Sequence, residues 1–282
     1  MSEFPEEPLN LPASEGFGYY PAYPGLKVKR GRYKVIRKLG YGPRSSVWLV
    51  EDLKCVYCEI YLFIFDYSDP RGDFGLSALK ILTAHATLQK TLELKRLRAV
   101  KRLRLFYRLP NFHDHFDVHS HHGRHSCFAL SVVGSSIEDL RQSLPTKTLP
   151  VHVVQKVVGS VLEALYDLHR SRMVHCGPYI AHLFLHKLYR KLTPYLFLFK
   201  TAVLPDNICT SVFQRKDDLD PLLATLPPCT IERKVTVDGV EYPIVRSQPI
   251  PPYDLDLNDT HIDTGFYLNN LNYGTYWSST RI

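Results

Sequence analysis

Apolar and polar positions first become regular at Val28, after an opening of proline, glutamate and tyrosine that has neither helical nor strand period. RYKVIRKLGYG (32–42) alternates apolar and polar residues before a glycine turn, and SSVWLVEDL (45–53) reads as the returning strand. After an irregular piece, 55–74, LSALKIL (76–82) is a compact strand. The run 87–108, TLQKTLELKRLRAVKRLRLFYR, predicts one basic amphipathic helix with Leu88, Leu92, Leu94, Leu97 and Val100 on its apolar face. A second helix is predicted over 151–170, where Val154, Val158, Val161, Leu165 and Leu168 recur at helical steps behind Pro150. Beyond it come Met173-Val174-His175, an apolar and basic interval at 176–200, the stretch TAVLPDNI (201–208) and an acidic turn, KDDLD. No internal repeat is visible.

Composition adds bounds rather than identity. A chain of 282 residues with 45% hydrophobic content can bury a sizeable core, as one large domain or as two lobes around a cleft. A net charge of +7 favours acidic or phosphorylated partners, or nucleic acid, without choosing among them. The cysteines at 55, 58, 127, 176, 209 and 229 are scattered, and the acidic, proline-broken start is no signal peptide. Reduced thiols in cytoplasm or nucleus are therefore expected. Cys55 and Cys58 form a single CxxC, a weak zinc signal. The runs YLFIF (61–65) and YLFLF (195–199) are too short to span a bilayer, and His182, His186, Lys187, Arg190 and Lys191 break the stretch 177–199. No membrane association is expected.

Three constellations carry candidate chemistry. Gly40 and Gly42, between two predicted strands, let backbone approach a phosphate closely, although two glycines also make an ordinary turn. Lys80 is the one charge in an apolar strand and should meet an anion, unless it is a plain lysine at a sheet edge. Glu93 could join it in holding the α- and β-phosphates of a nucleotide. The tract 113–125 offers His113, His115, His119, His121, His122 and His125 with Asp114 and Asp117; it has zinc or nickel donors but reads as compositional. The basic run 95–108 could bind RNA. It reads instead as the charged solvent face of a helix, and with no RNP or KH signature nucleic acid is not an expected partner.

In order along the chain stand the glycine loop with Val47-Trp48, Ala78-Leu79-Lys80, Glu93, SVVG (131–134), a helix ending Leu168-His169-Arg170, Met173-Val174-His175 and Pro205-Asp206-Asn207-Ile208. This order resembles a eukaryotic protein kinase. More narrowly, GRYKVIRKLGYGPRSSVWLVEDL, ALKILTA, FHDHFDVHSHHGRHSC, ALYDLHR and EYPIVRSQPIP resemble the SR-protein kinases and their fungal relatives. The resemblance implies an α+β, two-lobed fold. Its first lobe, 27–130 with an insert at 55–74, is a five-stranded antiparallel sheet with a helix, preceded by an extended arm at 1–26. Its hinge and incomplete, mainly helical second lobe occupy 131–282, with an insert at 176–200. It implies ATP and Mg2+. Leu39, Gly40, Gly42 and Val47 would lie over the nucleotide, with Ala78 against the adenine. Lys80 and Glu93 would form the phosphate-positioning pair, Leu130 the gatekeeper, and Ser131 and Val133 the hinge.

The pattern departs from the family where the chemistry should be. His175 is followed by the interval 176–200, and joining it to Thr201–Asn207 gives HTAVLPDN. Ala202 then stands at the base aspartate and Leu204 at the phosphate-facing lysine; Asn207, a metal ligand in the family, is retained. Asp206 matches a variable position. Asn270 falls at the magnesium-binding aspartate, with Asp263 as the alternative placement. An amide is the poorer ligand because it brings no negative charge. The segments 55–74 and 176–200 read as unspliced-intron sequence or, alternatively, as genuine insertions. Because the family's activation segment and later helices do not follow, the helix at 151–170 is expected to expose part of its apolar face in a marginal second lobe. The function implied is a serine/threonine kinase that transfers the γ-phosphoryl of ATP to Arg/Ser-rich, splicing-related proteins, with impaired chemistry. The alternative is a pseudokinase that binds nucleotide or acts as a scaffold.

Overall fold

A computed structural model describes residues 6–54, 75–89, 93–102, 108–171, 173–174, 205–211, 221, 223–251, 265–269 and 275–276. In chain order the elements begin with β1 (Lys27–Val28), β2 (Tyr33–Gly42), β3 (Ser45–Asp52), β4 (Leu76–Leu82), α1 (Ala84–Leu88), α2 (Glu93–Arg102), β5 (Phe112–Ser120) and β6 (Gly123–Leu130). They continue with β7 (Val133–Ser136), α3 (Ile137–Ser143), α4 (Val151–Arg170), β8 (Met173–Val174) and β9 (Ile208–Ser211). Last come β10 (Ile231–Val237), β11 (Val240–Val245), β12 (Phe266–Leu268) and β13 (Thr275–Tyr276). The chain divides into two units. The first gathers Met1–Thr91, Asn111–Gly134 and Val212–Tyr253, and the second gathers Leu92–Pro110, Ser135–Ser211 and Asp254–Ile282.

The first unit is built on an antiparallel sheet in the order β1-β2-β3-β4-β6-β5. It has six strands rather than the expected five, because the short β1 pairs outside β2. Strand alternation sends Tyr33, Val35, Trp48, Val50, Leu79, Ile81, Cys127 and Ala129 into one core. His125 is buried beside it, hydrogen-bonded through Nδ1 to the Leu82 carbonyl (2.9 Å) and through Nε2 to Ser120 Oγ (2.7 Å). In β2 the register slips twice, between Val35 and Arg37 and between Lys38 and Gly40. Each slip inserts an extra residue and turns the strand, so the neighbours Arg37 and Lys38 are both buried.

Those two cations tie distant segments to β2. The Lys38 ammonium meets the carboxylates of Glu6 (2.5 Å) and Glu7 and the Val245 carbonyl (3.0 Å). It also lies over the rings of Tyr41 and Trp48. Glu6 in turn accepts from the Ser247 amide (2.6 Å) and hydroxyl (2.9 Å). Arg37 donates to the Pro227 carbonyl, and the Gln248 amide donates to the carbonyl of Lys38 (3.0 Å). The opening segment is thus largely irregular backbone with one 3-10 turn, Ala13–Glu15, but it is docked, with Leu9, Tyr19 and Ala22 buried. Residues 223–251, which the sequence reading assigns to the second lobe, fall in the first unit. There the β10–β11 hairpin and Ile250 bury apolar side chains against the sheet and the opening segment.

In the second unit, α3 starts at Ser136 with a capping box completed by Asp139, and α4 packs on β8 and β12. The helix expected over 87–108 is instead two pieces. Thr83 caps an earlier start by accepting from the Ala86 amide (3.1 Å), and α1 closes at Gln89. Of the expected apolar face, Leu97 and Val100 are buried, Leu94 is half-buried and Leu88 is exposed; Leu92 lies outside the described residues. The buried face of α4 also differs from expectation. Val153, Val157, Ser160, Ala164 and Leu168 are buried, whereas Val154 and Val158 are exposed alongside Val151, Leu162 and Tyr166. The helix carries two apolar stripes. The one with small residues, which permits close approach, is the one that packs.

Each of these features has a measurable consequence. Lys38→Met would leave two buried carboxylates uncompensated and is expected to cost about 3–5 kcal/mol in urea denaturation. A loss below about 1 kcal/mol would contradict the burial, since an exposed pair is worth no more. Burial pushes the His125 imidazole down from 6.5 to about 4. The unfolded chain therefore binds the proton first, and stability held above pH 6.5 is lost as the pH falls toward 4. That loss approaches about 3 kcal/mol, and His125→Gln should flatten the pH dependence of the urea midpoint across this window. On α4, Val157→Ala should cost roughly 1–3 kcal/mol, whereas Val158→Ala should stay within about 0.5 kcal/mol. Equal costs would restore the face that periodicity alone indicates.

Candidate functional site

The β2–β3 hairpin closes through Pro43-Arg44, with Gly42 opposite Ser45 and Gly40 opposite Val47. Neither Gly40 nor Gly42 has a positive φ, and a Cβ built on either meets no atom within 4 Å. The fold itself therefore does not demand glycine at these two places. Their missing side chains leave bare backbone facing open space, which a phosphate can approach closely.

Strand register then sets a row across the sheet. Gly40 faces Val47, Val47 faces Lys80, and Lys80 faces Phe128. In the adjacent row Leu49 faces Ala78, and Ala78 faces Leu130. Residues two apart share a face, so Val47, Leu49, Ala78, Lys80 and Leu130 stand together, opposite the face of Trp48, Leu79 and Ile81. Val47, Lys80 and Leu130 are half-buried, in contrast to that other, closed face. Leu39 packs on the cluster of Leu49, Leu76, Val132 and Ile250, which joins the glycine hairpin to the segment after β6. Within that segment Ser131 is buried. Its amide donates to the Asn111 carbonyl (2.9 Å) and its hydroxyl accepts from the Asn111 amide (3.0 Å). Val133 follows, half-buried at the start of β7.

Glu93 and Asn207 belong to the second unit. Glu93 opens α2 and is 3% exposed. Asn207 ends the 3-10 turn Pro205–Asn207 and is equally buried; its carbonyl accepts from the Asn269 amide (2.7 Å). This bond extends the β9–β12 pairing, in which Leu268 faces Ile208. The Asp206 side chain is largely exposed, and desolvation of its carboxyl by the atoms around it, followed by the nearby carboxylates of Glu138 and Asp139, raises its pKa. Ala202, Leu204, His175, Asn270 and Asp263 lie outside the described residues, as do Cys55, Cys58 and both suspected inserts. No group of three or more His, Cys, Asp or Glu able to hold a metal occurs among the described residues. His122 and His125 bond the Leu9 and Leu82 carbonyls, so these two serve the packing of the hairpin.

Sequence reasoning singled out Lys80 as the buried lysine, but among the described residues the fully buried one is Lys38. The available signals were the break in alternation at Arg37-Lys38 and the acidic pair Glu6-Glu7 in an opening that has no lysine or arginine before Lys27. It also missed Tyr19. The Tyr19 hydroxyl donates to the Gly42 carbonyl (2.7 Å), and burial together with Tyr41 pushes its pKa up to about 12.

The chain is similar in fold to a kinase domain of known crystal structure, with a TM-score of 0.51 at 15% identity over 93% of this chain and 57% of that one. The fold is that of a protein kinase. In sequence it is 29% identical over 160 residues to Protein kinase dsk1 of Schizosaccharomyces pombe, covering 57% of this chain and 26% of that protein. It is 30% identical over 165 residues to SRSF protein kinase 3 of Mus musculus, covering 56% and 26%. Over 36 residues it is 50% identical to Serine/threonine-protein kinase SKY1 of Saccharomyces cerevisiae, covering 13% of this chain and 5% of that protein. These likenesses make the chain SR-protein-kinase-like, although it spans about a quarter of the length of the first two relatives. No family model matches it. Kinases of this kind use ATP and Mg2+. Among the described residues no helix is long and apolar enough to cross a membrane.

Proposed function

We infer that the chain is an SR-protein-kinase-like serine/threonine kinase-domain protein that binds ATP on the open face of its first sheet. The observation that carries this reading is the row Gly40–Val47–Lys80, with two glycines that the backbone does not require. Bare backbone at the hairpin approaches the phosphates, and the Lys80 ammonium neutralises phosphate oxygens. Leu39, Val47, Ala78 and Leu130 give the adenine apolar walls, and the backbone of Ser131 and Val133 bonds its edge. By the resemblance alone, Glu93 takes the family's phosphate-positioning role and Asn207 its metal-side role.

Transfer proceeds by attack of a serine hydroxyl on the γ-phosphorus, with the bond to the bridging oxygen of ADP breaking and the serine proton passing to solvent. Mg2+ would supply charge compensation at the phosphates. Of the two candidate metal-binding residues, Asn270 would hold it less tightly than Asp263, because an amide brings no negative charge. With Ala202 in place of the base, transfer is slowed by about 10²–10⁴. The serines acted on lie in Arg/Ser-rich proteins, in cytoplasm or nucleus. A second reading, a pseudokinase that binds nucleotide without turnover, is favoured by Ala202 and Leu204.

Thermal melting with Mg-ATP and transfer of labelled phosphate to an Arg-Ser peptide test the two readings. Wild type should melt higher with Mg-ATP, Lys80→Met should lose that shift, and Ala202→Asp should raise a slow transfer rate. A shift without transfer in either protein selects the pseudokinase. No shift in wild type defeats both readings.

A further inference from the structure

Bare glycine backbone binds phosphate well only if its conformation is fixed beforehand, because otherwise ordering the turn opposes binding. At this hairpin neither glycine has a positive φ or a neighbour that a side chain would meet, and the ladder to β3 ends at the pair Gly42–Ser45. The turn peptide between Gly42 and Pro43 also has no N–H to hold it, since proline lacks one. Its carbonyl also accepts from outside the hairpin, from the hydroxyl of Tyr19 at 2.7 Å.

Tyr19 is itself firmly placed. It is 2% exposed, clusters with Leu9 and Ile244, and meets the Tyr41 ring edge-on at 6.4 Å. The residues before it run along the far end of β4. The Gly18 carbonyl accepts from the Ala84 amide (2.8 Å), and His85 Nδ1 hydrogen-bonds with the Ala13 carbonyl (3.0 Å). From the same end of β4, the Thr83 amide donates to the Arg44 carbonyl (2.9 Å), so the turn is gripped on both sides of Pro43. The start of the segment is anchored by Glu6 and Glu7 on the buried Lys38.

We propose that the segment 6–19 is a built-in brace for the glycine turn and that Tyr19 is a positioning residue for the phosphates of the bound nucleotide. The phosphate role rests on the nucleotide reading above; the brace does not. Tyr19 touches no substrate. It fixes the Gly42–Pro43 peptide, and through it the backbone that faces the phosphates, leaving the adenine walls of β3, β4 and β6 unaffected.

The test is Tyr19→Phe, which keeps the ring and removes one hydroxyl. Affinities for Mg-ATP and for adenosine are measured by calorimetry, with amide exchange across 41–45 followed in parallel. Loss of one hydrogen bond should weaken Mg-ATP about three- to tenfold, leave adenosine unchanged, and speed exchange in the turn. Unchanged Mg-ATP affinity, or equal weakening of both ligands, overturns the phosphate-positioning role. If wild type binds neither ligand, the nucleotide reading falls and that role falls with it. Exchange still decides the brace in that case: unchanged rates across 41–45 in Tyr19→Phe overturn it.

Discussion

The first unit depends on a buried lysine. An ammonium has three protons to place, and at Lys38 it finds three acceptors, the carboxylates of Glu6 and Glu7 and the carbonyl of Val245. They come from two parts of the first unit: the opening segment supplies two and the edge of the β10–β11 hairpin the third. Burial pushes the ammonium down to about 8 against the opposing pull of Glu6. The site tolerates a charge only because all its partners arrive together. The opening segment, β2 and residues 223–251 are thereby joined into one body, and Ser247 seals the joint on Glu6. The same segment goes on to reach the Gly42 carbonyl through Tyr19.

The elements that sequence alone makes legible are those governed by local alternation and spacing. The glycine hairpin, β4 and the helix over 151–170 form where their patterns place them, and the motif order leads to a kinase fold. What escapes sequence reading depends on which surfaces meet. Lys80 is the one charge in an apolar strand, whereas Lys38 shares β2 with Lys34 and Arg37, and the two register slips in β2 are what bury it. On α4 the large valines suggest one face, but packing selects the stripe that contains Ser160 and Ala164. Residues 223–251 carry no periodic sign of which unit they join; their apolar side chains decide it by docking on β2 and the opening segment.

The candidate site follows the same division. The resemblance grouped Gly40, Val47, Ala78, Lys80 and Leu130, and strand pairing among β2, β3, β4 and β6 brings them to neighbouring positions of one sheet. The contribution of Tyr19 was not identifiable, because it acts on a backbone carbonyl distant in sequence and matches no motif. A hairpin rich in glycine is adaptable but weakly ordered, and the molecule offsets this by anchoring it to a segment with its own buried ion pair. Stability in the first unit and readiness of the phosphate-facing backbone thus share one source.

The most direct measure of the account is amide hydrogen exchange on the whole chain with and without Mg-ATP. Protection is expected to concentrate at 39–47, at 78–82 and at 130–133, and to leave the far hairpin end at 119–124 unchanged. Protection confined to the histidine-bearing hairpin, or none at the glycine turn and β4, would contradict it.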